Sequence, residues 1–145
     1  MLRSYSIHRS NTKETPRFEK GLELLKQIDG EAGQNVIESL QDVSPDLAKY
    51  TIEYPFGDIY VRKGLDFKSR EIATVAALTA LGNCAPQLKV HLNAALNVGC
   101  SEEEIKEVII QMSGYAGFPA ALNGMLVFKE VLAERTANHQ SGPDA

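Results

Sequence analysis

Three side chains in the middle of the chain have the chemistry for acid–base or thiol catalysis: Glu71, Cys84 and His91. His91 can move a proton in either direction, because imidazole titrates near neutral pH. Glu71 can act in the same way if it faces a pocket between helices, since desolvation raises the pKa of a carboxyl group. Cys84 can form a reactive thiolate if it precedes a helix N-terminus. The residue types alone thus predict proton transfer or thiol chemistry.

Each of these residues also has a purely structural explanation. His91 falls beside Leu88 on a largely apolar helix face, which is typical of a core histidine bonded to a carbonyl group. Glu71 lies in the first turn of a predicted helix, where the helix dipole favours a carboxylate whatever its function. Gln87 occupies the position where a CxxC motif would place a second thiol, which favours a structural role for Cys84. Both kinds of role stay open for Glu71 and His91.

The sequence lacks the common motifs of nucleotide and metal sites. It has no GxGxxG after a predicted strand, no P-loop, no HExxH and no Cys and His pairs at zinc-finger spacing. We therefore predict neither a metal ion nor another cofactor. A net charge of −4 without a cluster of Lys and Arg argues against nucleic-acid binding, which requires neutralisation of phosphates.

The length of 145 residues has room for one domain with a hydrophobic core. Polar composition at both ends predicts flexible segments at 1–14 and 136–145, which leaves one helical domain at 15–135. No window approaches the length of a membrane span, and the N-terminus lacks the apolar run of a signal peptide. Two cysteines are too few for a disulfide framework, so we predict a cytoplasmic protein without membrane contacts.

Helix start signals show which elements must position the candidate residues. Thr15 and Ser44 each precede a proline, the pattern of an N-cap followed by the first helical residue. Asp66 caps the helix that carries Glu71, and Pro86 opens the helix that carries His91. Since no segment alternates with a period of two, the sequence predicts an all-α fold, an antiparallel helical bundle.

Other segments lead to more specific predictions about packing. The stretch 55–64 is expected to be a connector with at most one short turn of helix, because Pro and Gly interrupt it. The stretch 67–81 is apolar on nearly every side, which predicts a helix buried all round, with other subunits covering part of it. Helical spacing also predicts that six residues of the last two helices share one core: Ile105, Val108, Ile109, Met112, Leu122 and Leu126.

One ordered series of features runs from about Tyr60 to Leu132. It consists of Arg70-Glu71 opening an Ala-rich helix, His91 with Ala94-Ala95 and Gly99, the capping-box stretch SEEEIKEVIIQ from Ser101, and YAGFPAA from Tyr115. In order and spacing, this series resembles the core of the carboxymuconolactone decarboxylase-like family. The resemblance implies the helical bundle shared with the alkylhydroperoxidase accessory protein, assembled as a homotrimer or homohexamer.

The resemblance also implies roles for particular residues. One branch of the family removes CO2 from a carboxylated unsaturated lactone without a cofactor. In that branch His91 would donate a proton with Glu71 as a second catalytic residue. Arg70 and Tyr115 would bind a small anionic substrate. Arg70 would bind the carboxylate of that substrate.

A second branch of the family uses a CxxC motif with a histidine and a glutamate to reduce peroxides or disulfides. Gln87 removes the second thiol that turnover normally requires, so decarboxylation of a small carboxylated lactone or related acid is the favoured function. A peroxiredoxin-type thiol peroxidase or disulfide reductase that uses Cys84 is the first alternative. A non-catalytic oligomer that binds a small acid is the second.

Overall fold

Helices account for most of residues 15–141, the part of the chain that the computed structural model describes. The α-helices are α1 (Pro16–Asp29), α2 (Ala32–Leu40), α3 (Pro45–Ile52), α4 (Phe67–Leu81), α5 (Ala85–Asn97), α6 (Glu102–Ala116) and α7 (Phe118–Gln140). A π-helix, Glu53–Ile59, follows α3. Within the described ranges there is no strand, and the all-α prediction is confirmed. The predicted segment 1–14 lies outside the described residues.

The predicted N-caps close the first turns of their helices. The hydroxyl of Thr15 accepts from the backbone N–H of Phe18, and that of Ser44 caps α3 in the same way. Asp66 accepts from the N–H of Ser69 at 2.8 Å and so fixes the start of α4. The capping box predicted at Ser101 is formed with Glu104.

Two apolar clusters hold the helices together. The N-terminal cluster comprises Phe18, Leu25, Ile28, Ile52, Phe56, Tyr60 and Ala94. The C-terminal cluster comprises Val75, Leu88, Leu92, Ala95, Cys100, Ile105, Ile109, Ala121, Phe128 and Val131. Helix α5 contributes to both clusters, because it lies between α1 on one side and α4, α6 and α7 on the other.

The prediction of a connector at 55–64 is wrong for its first half, which belongs to the π-helix. The N–H of Tyr60 donates to the carbonyl of Pro55, five residues back, at 2.8 Å. Packing against α1 stabilises this segment: a Cβ on Gly21 would lie 2.6 Å from the carbonyl oxygen of Ile52 and 2.9 Å from the nitrogen of Gly57. Two glycines therefore allow a backbone contact that local Pro and Gly signals could not predict.

The prediction that α4 is buried all round is wrong for the single chain. Its buried residues, Glu71, Val75 and Thr79, recur every fourth position, whereas Ala73 and Ala77 on the opposite face are exposed. One chain supplies neighbours for only one face of this helix, so its apolar character does not by itself bury it.

Two further differences concern α7. The shared core is confirmed for Ile105, Val108 and Ile109 but wrong for Leu122 and Leu126, which are 61% and 59% exposed. Met112 is half-buried and lies outside this cluster. Helix α7 continues to Gln140, so residues 136–140 of the predicted tail are helical, whereas its residues 142–145 lie outside the described part of the chain. None of the helices in residues 15–141 has the combined length and apolar character needed to cross a bilayer.

Candidate active site

Glu71 is the centre of a buried polar cluster between the two apolar clusters. It lies on the inner face of α4 and its side chain is fully buried. Burying a carboxylate is costly unless hydrogen bonds satisfy it, so its partners decide what this residue does.

Both oxygens of Glu71 have such partners. The Oε2 atom lies 2.9 Å from Nδ1 of His91 on α5, and the Oε1 atom accepts from the Tyr60 hydroxyl at 2.7 Å. The same hydroxyl lies 3.3 Å from Oγ1 of Thr74, which donates to the carbonyl of Arg70. With Nδ1 facing Glu71, the Nε2 atom of His91 is left as the second proton site of the ring. The structure thus brings Glu71 and His91 together as one unit.

Tyr60 is fixed by its neighbours. Its ring lies 5.0 Å from that of Phe56 and 6.4 Å from that of Phe67, measured between centroids. Burial, and then the charge of Glu71, raise the pKa of the Tyr60 hydroxyl above its ordinary range. The hydroxyl therefore stays protonated and donates to Glu71 throughout the neutral range.

A cavity of about 220 Å³ lies beside His91. Apolar side chains from α1 to α3 and from the π-helix form much of its wall, among them Leu25, Ala32, Val36, Ile52 and Phe56. Pro86 and Val90 of α5 complete that apolar wall, and the polar lining residues are Thr51, Gln87 and His91. The site therefore combines a proton donor or acceptor with a mainly apolar space for a small molecule.

The two predicted substrate-binding residues do not line this cavity. Arg70 donates through Nη2 to the carbonyl of Arg62 at 2.9 Å, and its guanidinium carbon lies 5.7 Å from the centroid of the Tyr60 ring. It therefore contacts the residue that holds Glu71 rather than the cavity itself. Tyr115, near the end of α6, is 83% exposed.

Cys84 occupies a different environment from Glu71 and His91. It is the N-cap of α5, as predicted for the loop before the helix, and its Sγ atom lies 3.2 Å from Oδ1 of Asn83. It lines a cavity of about 20 Å³ together with Thr79, on the side of α5 that faces α4 and α7. No hydrogen bond in the described part of the chain joins Cys84 to Glu71 or His91.

Two residues near the site, Tyr60 and Asp29, were not predicted from the sequence. Tyr60 lay in the segment expected to be a connector, so its role as a donor to Glu71 had no helical position to indicate it. Asp29, at the end of α1, is half-buried, and burial raises its pKa to about 6. The charges of His91, Glu71 and Arg135 also act on Asp29. Among residues 15–141, no three His, Cys, Asp or Glu side chains gather in a way that could hold a metal ion.

Comparison with known proteins identifies the family of this chain. The model of the carboxymuconolactone decarboxylase family matches residues 45–130, which include Tyr60, Glu71 and His91. A 4-carboxymuconolactone decarboxylase of Acinetobacter baylyi is 34% identical over 119 residues, covering 81% of this chain and 88% of the relative.

Two further relatives cover comparable shares of the chain. An uncharacterized 15.0 kDa protein of Paracoccus denitrificans is 34% identical over 68% of this chain and 74% of its own length. A nitrosuccinic acid decarboxylase of Metarhizium robertsii is 26% identical over 79% of this chain and 80% of its own. The names of the decarboxylase relatives support a decarboxylase function. The resemblance noted in the sequence is confirmed, and the chain belongs to the carboxymuconolactone decarboxylase family.

Proposed function

We propose that this protein is a carboxy-lyase that removes CO2 from a small carboxylated lactone or a related acid without a cofactor. The observation that carries the proposal is the contact of 2.9 Å between buried Glu71 and His91, at the wall of a mainly apolar cavity. In this reaction His91 is the proton donor and Glu71 is the residue that orients it. Tyr60 holds Glu71 in place.

The reaction needs a group that takes up an electron pair, and it needs a proton. When the bond between the carboxylate carbon and its neighbour breaks, CO2 leaves and the electron pair passes into a conjugated carbonyl group of the substrate. A carbon atom of the resulting delocalised anion then takes a proton, which Nε2 of His91 supplies. The carboxylate of Glu71 keeps Nδ1 of the ring engaged and stabilises the imidazolium before transfer.

The apolar lining contributes to the same step. A carboxylate loses hydration when it enters a space walled by Leu25, Ile52 and Phe56, whereas the departing CO2 is neutral. The charge that remains is delocalised over the substrate and is less costly to hold in such a space. Gln87 and Thr51 are the groups that can direct a polar atom of the substrate there.

The names of two relatives supply the first compounds to test, 4-carboxymuconolactone and nitrosuccinate. We expect CO2 release from at least one of them, and a loss of about 10²- to 10⁴-fold in kcat when His91 is replaced by Gln. The matched control is His139→Gln, an exposed histidine in the last turn of α7, which should leave the rate unchanged. Equal rates for the two variants would contradict the role of His91.

Assembly as a homotrimer or homohexamer is part of the proposal. Exposed apolar side chains near the end of α4 and along α7 support it, among them Leu81, Phe118, Leu122 and Leu126. Sedimentation at micromolar concentration should give a species of at least three chains, and a stable species of 15.9 kDa would contradict it. A cytoplasmic location, inferred from the cysteine content, is also a proposal.

A further inference from the structure

The π-helix Glu53–Ile59 directly precedes Tyr60, the residue whose hydroxyl donates to Glu71. A π-helix closes its backbone hydrogen bonds over five residues instead of four, so each turn contains about one residue more than an α-helical turn. If this segment relaxed to an α-helix, the residue after it would rotate by about 100° around the axis. That rotation would move the Tyr60 ring away from Glu71. The contact between Tyr60 and Glu71 therefore depends on the register of the π-helix.

Long π-helices are rare, so contacts from outside the segment must stabilise this one. Arg17, in the first turn of α1, provides such contacts near both ends of the segment. Its Nε atom donates to Oδ1 of Asp58 at 2.9 Å and its Nη2 atom donates to Oδ2, which makes the pair bidentate. Its Nη1 atom lies 3.9 Å from Oε1 of Glu53, the first residue of the π-helix. One guanidinium group thus contacts two carboxylates of the π-helix.

The spacing of these two carboxylates fits a π-helix better than an α-helix. In an α-helix, residues five positions apart point about 140° away from each other, because successive residues turn by about 100°. In a π-helix, the backbone hydrogen bonds join residues five positions apart, which places such residues on the same side. The contact of Arg17 with both Glu53 and Asp58 therefore favours the π-helical register over the α-helical one.

The surroundings of Arg17 make this contact firmer than an ordinary ion pair on a surface. Glu53 is only 5% exposed, and its carboxylate accepts from the hydroxyl of Thr15, the N-cap of α1. The backbone of Gly57 packs so closely on α1 that a Cβ there would lie 2.3 Å from the carbonyl oxygen of Arg17. Exposed ion pairs usually contribute little, whereas a bidentate pair within a network of charges contributes more. Arg17 therefore joins the start of α1 to the π-helix.

We propose that Arg17 is a positioning residue of the active site, which holds the π-helix in register so that Tyr60 reaches Glu71. Arg17 does not line the cavity beside His91, so it acts through Tyr60 and Glu71 alone. The effect on catalysis rests on the proposed function, because it requires that Glu71 orients His91 for proton transfer. The effect on Tyr60 does not, and it can be measured without any reaction.

Fluorine NMR of the full-length protein labelled with 3-fluorotyrosine measures the environment of Tyr60. The chain has five tyrosines, and the signal that disappears in Tyr60→Phe is that of Tyr60. We expect Arg17→Gln to shift this signal or to split it in two, and Asp58→Asn to do the same from the other side of the ion pair. Arg17→Lys should shift it less, since lysine keeps the charge but cannot form the bidentate pair.

The control is Lys26→Gln, which removes an exposed lysine from the last turn of α1 and should leave the Tyr60 signal in place. Circular dichroism shows whether each variant is folded. An unchanged Tyr60 signal in folded Arg17→Gln or folded Asp58→Asn would overturn the proposal. An equal shift in Lys26→Gln would overturn it as well, because the effect would then be one of charge on α1 in general.

Kinetics test the connection to catalysis. Arg17→Gln should lower kcat for CO2 release by about threefold to tenfold, and the double variant with Tyr60→Phe should be no slower than the slower single variant. Losses that multiply in the double variant would contradict the proposal, because Arg17 would then act by a route other than Tyr60. If the Tyr60 signal moves as expected but no CO2 is released by the wild type, the result counts against the proposed function alone.

Discussion

Two cavities lie against α5, and they differ in what each offers to a reaction. The larger one, beside His91, adjoins a buried acid–base pair and has room for a small organic molecule. The smaller one, beside Cys84, has a volume of about 20 Å³, the size of a site for one water molecule. The acid–base pair and the thiol therefore lie at different cavities along one helix.

The backbone at the start of α5 explains this separation. Two helical residues seven positions apart share a face, so the spacing of Cys84 and His91 alone would suggest a joint site. Cys84, however, is the N-cap, and its φ of −120° and ψ of 35° are not helical. Its side chain lines the small cavity together with residues of α4 and α7, whereas His91 contacts Glu71 and lines the larger cavity. The comparison teaches that a cysteine and a histidine seven positions apart can be present without forming one site.

The largest effect that would test this comparison is on catalysis. His91→Gln should lower kcat for decarboxylation by about 10²- to 10⁴-fold, because the proton donor is lost, whereas Cys84→Ala should change it by less than about twofold. Steady-state measurements of CO2 release on both variants check this. Mild peroxide treatment followed by mass spectrometry adds a second readout. Oxidation of Cys84 together with loss of all turnover would favour the thiol reaction instead.

A large effect on stability is expected in the C-terminal cluster, on the Cys84 side of α5. Ile109 is completely buried there, and Ile109→Ala should lower the free energy of unfolding by about 2–5 kcal/mol through lost burial and a new cavity. Leu126→Ala, on the exposed face of α7, is the matched truncation and should cost less than about 1 kcal/mol in the monomer. Urea unfolding monitored by circular dichroism measures both. A cost below about 1 kcal/mol for Ile109→Ala would mean that this cluster is not the core.

If Leu126 lies in a subunit interface, its truncation will instead weaken assembly. Sedimentation of Leu126→Ala over a range of concentrations distinguishes the two results. A variant that dissociates at higher concentration than the wild type would assign the exposed face of α7 to contacts between copies.

A smaller effect on stability should come from Tyr60, whose hydroxyl donates to Glu71. Tyr60→Phe removes the donor to Oε1 of Glu71 and leaves part of a buried carboxylate without a partner, which should cost about 2 kcal/mol of stability. Activity should fall several-fold but persist, because His91 keeps its contact with Glu71. Tyr54→Phe, an exposed tyrosine of the π-helix, is the control for the loss of a hydroxyl. Equal unfolding midpoints for the two variants would show that Tyr60 does not support Glu71.

The parts of this molecule that could be predicted from sequence are those set by local interactions. Asp66 and Ser101 cap their helices through residues three positions away, so a short stretch of sequence contains the whole motif. The π-helix could not be predicted, because it depends on the approach of Gly57 to α1. Likewise, Glu71 and His91 were candidates separately, but their contact joins residues 20 positions apart on two helices. That contact depends on the packing of α4 against α5.

The smallest expected effect concerns Asp29, the half-buried carboxyl group at the end of α1. Burial raises its pKa to about 6, whereas an aspartate in an unfolded chain titrates at about pH 4. Below pH ~4 the carboxyl group is protonated in both states, so it adds no pH-dependent cost to folding. Above pH ~6 the folded protein must hold the charged form, which costs about 1 kcal/mol once solvent screening of this half-buried group is allowed for.

Asp29→Asn removes that cost, since asparagine is uncharged and keeps an oxygen for the amide of Asn97. The variant should therefore be more stable than the wild type by about 1 kcal/mol near pH 8, with the advantage declining as the pH falls through about 6 and absent near pH 4. Thermal unfolding at a series of pH values measures the difference, which corresponds to about 2–4 °C in Tm. If the variant is instead less stable at high pH, then His91 and Arg135 stabilise the Asp29 carboxylate by more than burial costs. In that case Asp29, His91 and Arg135 act as one coupled set of charges. The cavity beside Cys84, by contrast, is lined by residues without formal charge.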